Sequence, residues 1–207
     1  MGRYRGPSCK ICRRNGTKLF LKGSRCETAK CAIDKRNYPP GHRAVGFAKK
    51  LSEYGRRLRE KQKLRFFYGV SESSIRSYFE KASTQKGITG HLLLAIFERR
   101  LDNVVFRAGL ATSRKEARQL VRHGHFNLNG KPVNIPSIIT IPGNVLSIRT
   151  GSATFFEPII KKIGEHNFPA WLTVDTGTKE FKLSHTPARE EIDTPVEEQL
   201  IVEFYSR

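Results

Sequence analysis

The stretch from Arg100 to Arg149 constrains the fold most, because a helix with clear start and stop signals leads directly into a hairpin signal. Ser113 and Glu116 form a capping box. In this motif the serine hydroxyl accepts from a first-turn amide and the glutamate reaches back to the serine amide. The pattern therefore predicts a helix that begins at Arg114 and ends at Gly124.

One face of this helix is apolar and another is basic. The apolar residues among 117–121 recur at helical spacing, so that face is expected to pack. Arg114, Arg118 and Arg122 lie four residues apart and share a different face. Such an alignment favours a row of phosphates over an ordinary solvated face, and we expect the three arginines to form the main phosphate clamp.

After the helix the pattern changes towards period 2, which is typical of strands. Apolar and polar residues alternate over 126–128, and Asn129-Gly130 is the strongest two-residue hairpin signal. It predicts a partner strand over 133–135. A second turn, at 142–144, is followed by another apolar strand, so a helix is expected to lead into a small sheet.

The charge of the chain indicates a polyanionic partner. The 207 residues carry a net charge of +19, with a pI near 10.2. Nucleic acid is the leading candidate and an anionic membrane surface the weaker one. The surplus lies in residues 1–65 and 100–150, whereas residues 151–207 hold more acidic than basic side chains. We therefore expect the C-terminal quarter to contact protein or solvent instead of RNA.

The first residues do not resemble a signal peptide, and the longest apolar run, over 92–97, is too short to span a bilayer. We therefore expect an intracellular protein, in which disulfides are rare.

All four cysteines, Cys9, Cys12, Cys26 and Cys31, fall within the first 31 residues as two short-spaced pairs. This spacing predicts one structural Zn²⁺ with four thiolate ligands and no open position for catalysis. Neighbouring lysines and arginines are expected to lower the thiol pKa values. Free thiols and a redox pair fit the clustering less well, and spacing alone does not distinguish zinc from an iron–sulfur cluster.

The region before Arg100 is predicted to be helical after its first 46 residues. A long basic helix is expected over 47–67, facing RNA, followed by helices over 71–81 and 89–99. In the last segment, 194–205, Leu200, Val202 and Phe204 alternate with their neighbours, so this end is expected to cover part of the helical body as a strand or extended segment.

Beyond residue 150, a helix is predicted over 155–163 and strands over 171–174 and 180–183. Pro187 and Pro195 are expected to bracket an exposed acidic linker.

The segment SRKEARQLVRHGHFNLNGKPVN resembles the small RNA-binding module shared by a small-subunit ribosomal protein, pseudouridine synthases, a heat-shock protein and tyrosyl-tRNA synthetases. Over nearly its whole length, and most specifically in LREKQKLRFFYGV and RLDNVVFRAGLATSRKEARQLVRHGHF, the chain is similar to the family of the fourth protein of the bacterial small ribosomal subunit. With four cysteines it resembles the zinc-bearing members.

This resemblance implies a non-catalytic primary binder of small-subunit ribosomal RNA near its 5′ multi-helix junction. Such a protein nucleates assembly of the subunit body and contributes to translational accuracy. The implied partners are this RNA, neighbouring small-subunit proteins, notably number five, and messenger RNA where it enters the ribosome. The implied location is the ribosome in the cytoplasm.

The predicted fold class is α+β: a mainly helical domain with an N-terminal zinc knuckle, plus a small helix-and-β-ribbon RNA-binding module with a short sheet. The predicted domains are 1–45 (zinc-binding extension), 46–98 (helical body, completed by 195–207), 99–162 (RNA-binding module) and 163–194 (strands and acidic linker packing on the module).

The residues predicted to bind RNA are cations and polar groups of the N-terminal region, the basic helix and the module. They are Arg3, Arg13, Arg14, Arg36, Arg43, Lys49, Lys50, Arg56, Arg57, Lys61, Lys63, Arg100, Arg107, Ser113, Arg114, Lys115, Arg118, Arg122, His123, His125, Asn129 and Lys131.

An RNA-modifying enzyme is the alternative, because Arg100-Leu101-Asp102 matches the triplet in which pseudouridine synthases carry their catalytic aspartate. In those enzymes, however, a large catalytic domain follows the module, and here only 57 residues follow position 150. We therefore expect Asp102 to cap the helical segment 102–110.

Overall fold

The computed structural model describes residues 4–41, 51–163, 168–175 and 177–206. They form two compact units, Met1–Leu93 with Thr194–Arg207, and Leu94–Asp193. The helices are α1 (Ser8–Asn15), α2 (Ala32–Lys35), α3 (Glu53–Tyr68), α4 (Glu72–Ser83), α5 (Thr89–Glu98), α6 (Leu101–Arg107), α7 (Arg114–Arg122), α8 (Ala153–Ile163) and α9 (Glu198–Tyr205). The strands are β1 (Phe126–Leu128), β2 (Lys131–Val133), β3 (Val145–Ile148), β4 (Leu172–Asp175) and β5 (Glu180–Leu183).

In the first unit, the basic helix α3 begins later than predicted. The side chain of Ser52 accepts a hydrogen bond from the amide of Gly55, 3.2 Å away, and so caps the helix at Glu53. Residues 47–50 lie outside the described residues. Gly69, with φ +63°, ends α3. Tyr54, in the first turn of α3, is largely exposed.

The prediction of a strand or extended segment at the C-terminus was wrong, because residues 198–205 form helix α9. A short and nearly continuous apolar run fits both the helical and the strand period, and here the packing on α3 favours the helix. Glu203 accepts from Arg57 at 2.7 Å, and the rings of Phe204 and Tyr54 lie 5.8 Å apart.

The segment between Pro187 and Pro195 is not the exposed linker that was predicted. Ile192 and Thr194 are buried, as is Val196 just beyond. The hydroxyl groups of Thr194 and Tyr68 are hydrogen-bonded at 2.9 Å.

The second unit contains a five-stranded antiparallel sheet with the order β2-β1-β3-β5-β4. The predicted hairpin is confirmed: Asn129 and Gly130 have φ +50° and +78°, as a type I′ turn requires. The partner strand ends at Val133, however, and Ile135 lies beyond it with an exposed side chain.

Helix α7 begins at Arg114 as predicted, but only half of the capping box forms. Ser113 Oγ accepts from the amide of Glu116 at 3.3 Å. The Glu116 carboxylate accepts from the amide and the hydroxyl of Thr112, at 2.7 and 2.6 Å, instead of from the Ser113 amide.

The core of the second unit is large and aromatic, and it fixes the positions of α7 and the sheet. Ala117, Leu120 and Val121 of α7 are buried, as predicted. They join Trp171, Phe126, Phe156 and Phe181 in one cluster. No helix in the described ranges has the length and apolar character needed to cross a membrane. The predicted combination of a helical domain and a module with a small antiparallel sheet is confirmed.

Candidate nucleic-acid interface

The three arginines of α7 do not form one uniform row. Arg114 Nε donates to Asn103 Oδ1 at 2.7 Å, and its guanidinium lies 4.5 Å from the centre of the Phe106 ring. Arg118 Nη1 donates to Asp102 Oδ2 at 3.2 Å. Arg122 is exposed. The helix thus turns its first two arginines into the unit and its last one to the surface.

The inward arginines belong to a network around two buried carboxylates, Glu98 and Asp102. Arg107 donates two hydrogen bonds to Glu98, at 3.0 and 3.1 Å. Arg100 donates two to Asp102, at 3.0 and 2.9 Å. Asn103 Nδ2 donates to Glu98 Oε2 at 2.8 Å. Bidentate arginine–carboxylate pairs of this kind are strong and fix geometry.

Two sequence predictions are corrected here. Arg100 is only 1% exposed and holds Asp102, so it does not lie on an RNA-facing surface. Asp102 lies in the first turn of α6 and does not act as its N-cap, a position held by Arg100.

The network carries more positive than negative charge. Four guanidinium groups, those of Arg100, Arg107, Arg114 and Arg118, surround two carboxylates. The last three arginines keep between 10% and 18% of their side-chain surface exposed. The surplus positive charge therefore lies near the surface, where it attracts phosphate.

The remaining module residues lie in different surroundings. Arg122, His123 and Lys131 are exposed, and Lys115 is half-buried. Ser113 is the buried N-cap of α7, and Asn129 Oδ1 accepts from the amide of Val145 at 2.8 Å. The hydrogen bonds that Ser113 and Asn129 accept stabilise the local fold.

His125 is held among aromatic rings. Its Nδ1 lies 2.9 Å from Ser152 Oγ, and its ring stacks on that of Phe155 with an interplanar angle of 14°. Burial and, to a smaller extent, the charge of His123 lower the pKa of His125. At neutral pH it is thus an uncharged aromatic group instead of a phosphate-binding cation.

In the first unit, the cations of α3 are largely paired. Arg57 pairs with Glu203, Lys61 with Glu72, Lys63 with Glu60 and Arg56 with Glu53. Lys61 is 4% exposed, so the prediction that it faces RNA does not match its position.

Among the cations of the N-terminal region, some are bonded within the protein and others are exposed. Arg13 donates to the carbonyl of Tyr38 at 2.9 Å and lies over its ring, whereas Arg14 and Arg36 are exposed. Arg3, Arg43, Lys49 and Lys50 lie outside the described residues.

The four cysteine thiols line one cavity of about 20 Å³, together with Arg25 and Lys22. Burial and the charges of the other three cysteines raise the pKa of Cys12, against a hydrogen bond to the backbone of Leu19. The expected lowering by nearby cations is therefore not found at this thiol. Within the described ranges, no three His, Cys, Asp or Glu side chains are arranged to hold a metal ion.

Two family models match the chain. Residues 3–98 match the ribosomal protein S4/S9 N-terminal domain, and residues 99–143 match the S4 domain. Over the full length of both chains, it is 53% identical to the small ribosomal subunit protein uS4 of Pelotomaculum thermopropionicum and of Heliobacterium modesticaldum. It is 52% identical to that of Geotalea uraniireducens, again over both complete chains. The chain belongs to the uS4 family.

Family membership confirms the resemblance to the family of the fourth small-subunit protein and decides against the enzyme alternative, since the uS4 family consists of ribosomal proteins. Sequence reasoning missed Glu98 and Asn103, which orient the inward arginines. The available signal was an acid, Glu98, placed directly after the apolar run of α5, where only a paired carboxylate is readily buried.

Proposed function

We propose that the chain is a structural constituent of the small ribosomal subunit, in the cytoplasm, that binds small-subunit ribosomal RNA. The observation that carries this function is the 53% identity to uS4 proteins over the complete length of both chains. The binding site lies near the 5′ multi-helix junction of the RNA, where the protein nucleates assembly of the subunit body and contributes to translational accuracy.

Two groups of cations give the module a physical basis for binding phosphate, one held within the unit and one exposed. The arginine network supplies a surplus of positive charge that is fixed in place by Glu98 and Asp102. Exposed side chains at the end of α7 and in the hairpin, Arg122 and Lys131, extend from this fixed base. Fixed cations lose little conformational entropy on binding, and exposed ones release counterions from the RNA.

The test is binding of the full chain to a transcript of the 5′ domain of small-subunit ribosomal RNA between 50 and 200 mM salt, conditions over which phosphate contacts give a steep salt dependence. We expect this RNA to compete far better than tRNA or an unrelated duplex of equal length. Equal competition by all three would reduce the function to nonspecific polyanion binding. Crosslinking in cells should recover mainly small-subunit RNA, whereas recovery of scattered modification sites would support the enzyme alternative.

A structural zinc site is the second part of the proposal. The donor set supports it, because all four cysteines line a single small cavity and thiolates are the preferred ligands of structural zinc. Cys9, Cys12, Cys26 and Cys31 would hold the ion. Its contribution would be to fold residues 4–41, where the buried apolar residues are few. They are Ile11, Leu19, Leu21 and Ile33, with Cys26 and Cys31.

Metal analysis of the purified chain should give one zinc per molecule, and iron with visible absorbance would instead identify a cluster. The double variant Cys9→Ser, Cys12→Ser should lose metal and expose residues 4–41 to proteolysis, while the second unit stays protected. Lys10→Gln, an exposed change on the same helix, is the matched control. Full protection of the double variant without metal would disprove the site.

The acidic C-terminal quarter is proposed to face protein, with small-subunit protein number five as the neighbour. Messenger RNA at its entrance to the ribosome is a further proposed partner of the chain, at another surface. Negative charge within a Debye length of RNA, about 8 Å at physiological salt, is repulsive. Reversing the charge of Glu197 and Glu198 should therefore leave RNA affinity unchanged while weakening crosslinking to protein five. A large loss of RNA affinity with the fold retained would contradict this assignment.

A further inference from the structure

Phe155 presents an aromatic ring at the surface of the second unit. It lies in the first turn of α8 and is 55% exposed, whereas the next residue, Phe156, is fully buried in the core. The Phe156 ring meets that of Phe155 at 86°, with centroids 5.0 Å apart. The His125 ring stacks on Phe155 with a centroid separation of 5.8 Å. Two neighbours therefore fix the orientation of a ring that stays largely uncovered.

His125 is itself held on two sides, which makes the stack rigid. Its ring nitrogen is hydrogen-bonded to Ser152 at 2.9 Å, and its carbonyl accepts from the amide of Arg149 at 2.9 Å. The lowered pKa keeps the imidazole neutral near pH 7, so it supports Phe155 as an aromatic surface. A preorganised ring loses little entropy when a flat ligand stacks on it.

Two exposed arginines belong to segments that adjoin His125, the residue on which this ring stacks. Arg149 is exposed, and its backbone is bonded to that of His125. Arg122 is exposed at the end of α7, next to His123, whose ring lies 6.1 Å from that of His125. An aromatic ring beside cations is the arrangement with which proteins bind an unpaired nucleotide: the base stacks and the phosphate meets the cation.

We propose that Phe155 is a stacking platform for an unpaired base of the bound RNA, with Arg122 and Arg149 binding the adjacent phosphates. This proposal rests on the proposed RNA-binding function and specifies that part of the RNA at this position is single-stranded. Charge complementarity favours a nucleotide over an apolar protein side chain, because an apolar side chain would gain nothing from the two arginines.

The experiment uses the full chain and a transcript of the 5′ domain of small-subunit ribosomal RNA. Phe155→Ala and Phe155→Leu should each weaken binding by about 5-fold or more at every salt concentration, with an unchanged log–log salt slope, because stacking releases no counterions. Phe155→Trp should retain the affinity. Ile141→Ala, equally exposed at 55% but without a ring, is the matched control and should bind normally.

Fluorescence adds a direct readout. The only tryptophan of the chain, Trp171, is fully buried. In Phe155→Trp the new indole should be quenched when the RNA is added, above the change in the unaltered chain. Circular dichroism checks that each variant is folded, and Phe155→Leu keeps the apolar volume if Phe155→Ala unfolds.

Three results would overturn the stacking proposal. Normal affinity of both Phe155→Ala and Phe155→Leu, with steep salt dependence retained, would reject stacking and leave the RNA-binding function intact. Normal affinity of Phe155→Leu alone would show that the position needs apolar volume and not a ring, as a protein contact would. Failure of the unaltered chain to bind the transcript would reject the proposed function itself.

Discussion

Two basic helices, α3 in the first unit and α7 in the second, look alike in sequence but keep their charges in different surroundings. Most cations of α3 are in ion pairs, as are Arg114 and Arg118 of α7. The partners of α3 are partly exposed, as for Glu203 (38%) and Glu72 (44%). The partners of α7 are buried, Glu98 at 0% and Asp102 at 5%. Ion pairs weaken steeply with solvent exposure, so the burial of the acid decides what each arginine does.

This difference shows why helical spacing does not identify an RNA-binding arginine. Arg118 and Arg122 are one turn apart on α7, yet the first is bonded to a buried aspartate and the second is exposed. The partner acid lies 16 residues earlier in the chain, outside any helical repeat that the sequence displays.

The largest effect should come from removing Asp102, the buried acid of α6 that pairs with Arg118 of α7. Asp102→Ala leaves Arg100 buried without its carboxylate, which should lower the free energy of unfolding of the second unit by about 3–5 kcal/mol. Urea unfolding followed by the fluorescence of buried Trp171 measures it. Glu203→Ala removes the exposed partner of Arg57 and is the matched change on α3.

For Glu203→Ala the expected loss is below about 1 kcal/mol, as for most exposed pairs. Hydrogen exchange of the α3 backbone amides in urea measures this loss in the free energy of unfolding. Similar losses from the two substitutions would end the distinction between the helices.

The next effect in size is the acid sensitivity of the first unit. Burial acts to raise the pKa of Glu72, but hydrogen bonds from Lys61 and Tyr205 outweigh it, and the net pKa is lowered. The resulting stabilisation is present above the unfolded pKa, about 4.3, and is lost as pH falls through the lower folded value.

Glu72→Gln should therefore flatten the fall in urea midpoint of the first unit between pH 5 and pH 3. Glu80→Gln, an exposed acid on the same helix, is the control and should keep the fall. An unchanged pH dependence in Glu72→Gln would mean that this carboxylate contributes nothing to folding.

The smallest effect on stability is expected at Arg122. Arg122→Gln should leave the melting temperature unchanged and reduce the log–log salt slope of RNA binding by about 1, the value for one lost phosphate contact. Arg118→Gln should behave in the opposite way, with a lower melting temperature and a binding loss that follows unfolding. An unchanged salt slope in Arg122→Gln would show that Arg122 contacts no phosphate and that the RNA binds elsewhere than at the end of α7.

Elements with local signals were predictable from the sequence. The start of α7, the Asn129-Gly130 turn and strand β5 appear where capping, turn chemistry and alternating polarity, respectively, placed them. Errors arose where distant residues decide. Helix α9 is fixed by packing on α3, 146 residues away for the Arg57–Glu203 pair. The assignment of arginines to RNA failed at Arg100 for the same reason, since burial is a property of the assembled unit.

The first unit is discontinuous in the chain, because residues 194–207 complete what residues 1–93 begin. A ribosome releases the chain from its N-terminus, at about 5–20 residues per second, so α3 waits on the order of ten seconds for α9. The second unit, contiguous from 94 to 193, has all its residues before that moment. Nascent chains should therefore acquire a folded S4 domain first, and Tyr68, Lys61 and Glu72 should become protease-resistant only after residues 194–207 have left the ribosome. A premature stop codon before residue 194 would then leave a nascent protein whose middle is folded and whose beginning is not.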